Sequence, residues 1–172
     1  DMAQQSEMPF CWLALDDLDR DPQRFITYLI AALTERFPRF GKQSTGALKR
    51  MVSFELDAEQ VLSTLINEVY EQVDEHFVLV LDDFQFIDSL TELCQFVSRF
   101  ITLSADHCHT VLVSWRLPAL PDIALMVARQ QVTGFDLEEL AFRPEEVRLL
   151  YQQNHAVQLD NGAIEQLLRQ TE

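Results

Sequence analysis

Phe77-Val78-Leu79-Val80-Leu81-Asp82-Asp83 is the stretch that decides the fold. Five apolar residues in a row have the length of a strand and offer solvent no polar side chain, which predicts a strand buried inside a parallel sheet. Two adjacent carboxylates follow at its carboxyl end. That edge is where open α/β sheets bind ligands, and a carboxylate there is a hard oxygen donor suited to a divalent cation on a nucleotide. The bland alternative is that the acids only mark the passage from core to solvent, a frequent pattern in α/β folds.

Upstream, Phe10-Cys11-Trp12-Leu13-Ala14-Leu15 is a second apolar run ended by acids, and it too predicts a strand buried on both faces. Asp21 is placed to cap a helix that has Pro22 at its first position and Phe25, Tyr28, Leu29, Ala32 and Leu33 at helical spacing. Residues 38–51 hold Gly41, Gly46 and a cluster of Lys and Ser/Thr, predicting a loop with at most a turn or two of helix. Asp57 and Gln60 have capping-box spacing ahead of an apolar face from Val61 to Val73. Downstream, Asp88 or Ser89 is expected to open a helix containing Leu93, Phe96, Val97 and Phe100. Thr110–Ser114 is expected as a third strand, Ile123–Ala128 as a short helix and Gln131–Asp136 as a fourth strand, with helices from Pro144 and over Asp160–Arg169. The alternation predicts a parallel sheet with right-handed helical crossovers on both faces.

With 28 acidic against 13 basic residues, the net charge of -15 repels phosphate backbones and argues against nucleic-acid binding by this segment. No apolar run approaches the roughly 18 residues of a membrane span. Residues 1–7 have neither the basic start nor the apolar middle of a secretory signal, so a cytoplasmic protein and a segment of a longer chain are expected. Cys11, Cys94 and Cys108 are odd in number and widely spaced, which suits reduced thiols better than a disulfide framework. No further Cys or His lies close enough in sequence to complete a metal set with His107-Cys108-His109. Asp17, Asp19 and Asp21 begin like a calcium loop, but Pro22 and Tyr28 stand where its glycine and closing Glu belong.

The strand at 77–83 has the form of a Walker B segment, in which Asp82 would meet magnesium and Asp83 would polarise a water for attack on the terminal phosphate. A phosphate-cradling G-x-x-x-x-G-K-[ST] loop should precede it, and none does. At the only Gly-Lys pair, Gly41-Lys42, Arg36 replaces the first glycine and Gln43 the hydroxyl residue. Arg116, just past the third strand, is placed to reach a phosphate, though most such arginines are merely solvated. Trp12, Trp115 and the phenylalanines are expected in the core or on a partner-facing surface. Patterns of a nucleophile elbow, a thioredoxin-like site or a dinucleotide fold are lacking, which weakens the case for an unrelated small α/β enzyme.

The ordered landmarks are more specific than any single motif. Trp12-Leu13-Ala14-Leu15-Asp16, Asp19-Arg20-Asp21-Pro22 with Phe25, Tyr28 to Leu33, Val78 to Phe84, Val111 to Ser114, Leu117 to Pro121 and Glu139 to Glu146 together resemble the region just beyond the P-loop in MalT-like, LuxR-type transcriptional regulators. These regulators belong to the STAND class of signal-transducing P-loop ATPases. The resemblance covers nearly the whole chain from Pro9 onwards.

It implies a parallel three-layer P-loop NTPase-like sheet lacking its P-loop strand, over 1–142, with 143–172 beginning the following helical region. ATP and magnesium would be the cofactors of the complete parent domain, with no tight binding by this segment. Asp83 would be the catalytic, water-orienting acid and Asp82 the magnesium-associated one. Ser114 would occupy the sensor position and Arg116 would stand near the arginine that relatives place directly after it, where this chain has Trp115. Partners would be further copies or other domains of the parent, with DNA bound only through a C-terminal module outside this sequence. The alternative is a degenerate, non-catalytic α/β interaction module. The resemblance also implies a gap between the third strand and the fourth. A polar group left buried at that edge without a partner costs roughly 1 to 3 kcal/mol, so the edge is expected to be covered by another segment, by a second molecule or by the strand at 131–136.

Overall fold

The computed structural model describes residues 8–155 and 159–171, which form two compact units divided between Arg129 and Gln130. In the first, β1 (Phe10–Ala14), β2 (Phe77–Asp82) and β3 (Cys108–Leu112) make a parallel sheet in the order β1-β2-β3. The helices are α1 (Pro22–Arg36), α2 (Lys42–Arg50), α3 (Phe54–Gln72), α4 (Thr91–Leu103) and α5 (Ile123–Ala128). An α/β architecture with a parallel sheet is therefore what the chain adopts.

Alternation along the strands sends Cys11, Leu13, Phe77, Leu79 and Leu81 to one face of the sheet. There they share one core with Phe25, Ile26, Leu29 and Leu33 of α1, Val61, Leu65 and Val69 of α3, and Leu93, Val97 and Phe100 of α4. The opposite face is different. Trp12, Val80 and Val111 lie side by side across the three strands, and Trp12 and Val111 are 57% and 43% exposed. Among the described strands only β2 is buried on both faces; β1 is not, contrary to its apolar run, and the described helices packed in this core cover one side of the sheet. Parallel sheets are ordinarily covered on both sides.

α1 starts as its sequence predicts, with the Asp21 carboxylate accepting the Arg24 amide at 2.7 Å. Asp19 accepts the Arg24 guanidinium at 3.0 Å, so these acids serve the local chain. α2 occupies most of the expected loop. Its N-cap is Gly41, at φ +98, and a Cβ there would lie 2.3 Å from the Thr34 hydroxyl. The cap acceptor comes from α3 instead: Glu68 takes hydrogen bonds from the Gln43 amide (2.9 Å), the Ser44 amide (2.8 Å) and the Ser44 hydroxyl (2.5 Å). α3 itself begins a turn earlier than the Asp57-Gln60 pair suggests, capped by Ser53, while Asp57 accepts the Val52 amide at 2.7 Å.

In the second unit, Gln131–Asp136 forms no strand. Asp136 instead caps α6 (Leu137–Leu140) in a reciprocal box with Glu139, and Phe135 is 70% exposed. The expected fourth strand is thus absent, and among the described residues β3 is an edge of the three-stranded sheet. α7 (Pro144–His155) and α8 (Asn161–Thr171) follow, with Val147 and Ile164 buried. Among the described residues no helix is long and apolar enough to cross a membrane.

Candidate functional site

The carboxyl edge of the sheet gathers the residues singled out in the sequence. β2 ends at Asp82, whose Oδ1 accepts the amide of Asp83 at 2.9 Å. Asp83 is exposed and left-handed (φ 56), a conformation that side chains other than glycine adopt rarely and acidic or amide ones most readily. Behind it the fully buried Phe84 donates its amide to the Val113 carbonyl at 2.9 Å, locking the turn to the end of β3.

Gln85, not singled out in the sequence, and Asp88, expected there as a helix start, bring the site together. Gln85 donates through Nε2 to Asp83 Oδ1 at 2.8 Å and accepts the Ser114 hydroxyl through Oε1 at 3.2 Å. Asp88 is not the helix cap it resembles. Its buried carboxylate holds the Arg116 guanidinium, with Nε at 2.7 Å and Nη2 on the other oxygen, while Nη2 also donates to the Gln85 carbonyl at 3.4 Å. The hydrogen bond to Asp88 raises the Arg116 pKa, opposed by desolvation and assisted by the charge of Asp88. All four expected residues, Asp82, Asp83, Ser114 and Arg116, thus sit at one edge, joined through Gln85 and Asp88. Neither linker could be found by local pattern, because Ser114 and Arg116 lie 28 or more residues away in sequence.

Elsewhere the chemistry is muted. Burial pushes the Cys11 thiol up to about 12, assisted by the charge of Cys108, and pushes Cys108 up to about 11. The His107-Cys108-His109 run is divided by the strand: Cys108 packs against the core, and His109 Nε2 lies 3.1 Å from His76 Nδ1. Among the described residues no three His, Cys, Asp or Glu side chains converge on a metal-holding group. Magnesium nevertheless suits Asp82, since that ion is commonly held by one or two carboxylates with the remaining positions filled by phosphate oxygens and water. The backbone cradle for the phosphates is not among these residues.

A short α/β unit with paired carboxylates at its carboxyl edge defines the class of site, and the relatives supply the context. No family model matches the chain. It is similar to the HTH-type transcriptional regulator MalT of Yersinia enterocolitica, 28% identical over 172 residues and covering 99% of this chain. MalT of Cronobacter sakazakii is 30% identical over 81% of the chain, and MalT of Yersinia pestis 26% identical over 94%. The chain is thus MalT-like along most of its length, and it spans 15% to 18% of the length of these relatives.

Proposed function

We propose that the chain is the Walker B part of an ATP-binding domain in a MalT-like regulator, where nucleotide state controls self-association and another module reads DNA. The observation that carries this reading is the convergence of Asp82, Asp83, Ser114 and Arg116 on the carboxyl edge beside the central buried strand. Asp82 would hold magnesium, which when bound offsets phosphate charge. Asp83, exposed at the turn, would orient the attacking water. Arg116, whose side chain is 55% exposed, would face a phosphate while still held by Asp88. A phosphate-loop strand would pair with the edge of β3 and its helix would cover the face around Trp12 and Val111, which would complete a P-loop NTPase-like sheet.

A second reading is a non-catalytic α/β interaction module. Calorimetric titration with magnesium-ATP separates the two. The chain extended upstream by one strand, loop and helix is expected to bind and the present chain not to. If neither binds, the interaction module is the better account.

A further inference from the structure

We propose that Gln85 is a positioning residue that sets the Asp83 carboxylate, and that Ser114 acts on Gln85 and not on a phosphate. The inference rests on the ATP-binding reading and assigns the regulation of its water-orienting acid. A carboxylate can only accept, so the end of the Gln85 amide at Asp83 must be the NH2, and the end at Ser114 must be the carbonyl. The Ser114 hydroxyl must then donate, at 3.2 Å, and its single proton is committed. The direction of the whole chain, Ser114 to Gln85 to Asp83, follows from this chemistry alone.

Gln85 is held at three points. Its amide is gripped at both ends, and its backbone carbonyl receives Arg116, itself braced on the buried Asp88. One oxygen of Asp83 is thereby fixed at 2.8 Å from Nε2 on a backbone already in the left-handed region. Left-handed conformations at non-glycine residues persist where surrounding contacts determine them, and they gather at functional sites. Ser114, two residues past β3, would accordingly speak to the hydrolytic acid through an amide.

The test is ATP turnover by the full regulator chain carrying Gln85→Met, Ser114→Ala, both together, Ser114→Thr or Asp83→Asn, with thermal midpoints recorded alongside. Gln85→Met is expected to lower kcat about tenfold, the scale of one hydrogen bond to a charged group, with KM and the midpoint little changed. Ser114→Ala should lower kcat in the same direction, the double variant should fall no further than Gln85→Met, and Ser114→Thr, which keeps the hydroxyl, should restore most of the rate. If Asp83→Asn abolishes turnover but Gln85→Met retains the full kcat, the positioning role is overturned while the ATPase reading stands. A rise in KM with unchanged kcat for Ser114→Ala would make that residue a phosphate contact and overturn the relay. Turnover unaffected by Asp83→Asn would overturn both.

Discussion

Glu68→Ala is expected to lower the unfolding free energy by about 3 to 5 kcal/mol, the range for stranding one side of a buried charged hydrogen-bonded set. Glu68 is 1% exposed, and its two oxygens serve the first turn of α2, where Gly41 supplies no side-chain cap. Alanine leaves two amides and a hydroxyl without that acceptor. Glu68→Gln keeps an acceptor and loses the charge, so its cost should be smaller. Burial alone would raise the Glu68 pKa, but the hydrogen bonds from the Ser44 hydroxyl and the Gln43 and Ser44 amides outweigh it and hold the pKa below 4.5. The contribution is thus present above about pH 4.5 and lost as the pH falls through the lower folded value. Urea unfolding at pH 7 and near pH 3 should show the penalty of Glu68→Ala shrinking in acid. An equal penalty at both would contradict the charged cap.

Covering the open face of the sheet should have the next largest effect. Trp12, Val111 and Val113 are each about half exposed, at 57%, 43% and 43%. Completing their burial is worth about 3 kcal/mol in total, taking roughly 1.5 to 3 kcal/mol for a whole large apolar side chain. The chain extended upstream by the phosphate-loop strand and helix is therefore expected to be more stable. In a Trp115→Phe background, which removes the second and 84% exposed indole, the Trp12 emission should shift to the blue and resist acrylamide. Unchanged quenching on extension would mean that the added segment packs elsewhere.

What the sequence disclosed follows from how local the physics is. β1, β2 and α1 were legible because an apolar run, a terminal acid pair and an Asp-Pro start are written within a few residues of one another. α2 was not, because its cap comes from Glu68, 24 residues from Ser44. An apolar run also cannot say which of its faces is covered, so β1 seemed buried on both sides when Trp12 is open. Asp88 lies three residues before a helix and resembled its cap, and only the fold brings Arg116 to it. Gln131–Asp136 has the composition of a strand, yet Asp136 is used as a helix cap. That Asp82, Asp83, Ser114 and Arg116 would lie near one edge could be expected from the strand pattern and the resemblance, whereas the contacts of Gln85 were visible only after β2 and β3 were set side by side.

The most direct measurement is magnesium-dependent ATP binding by the upstream-extended chain with and without Asp82→Ala. With Asp82 in place, affinity should rise on adding magnesium, and in the Asp82→Ala variant that magnesium-dependent gain should disappear. If magnesium strengthens binding equally in both, Asp82 does not hold the metal and the carboxyl edge of β2 is not the nucleotide site.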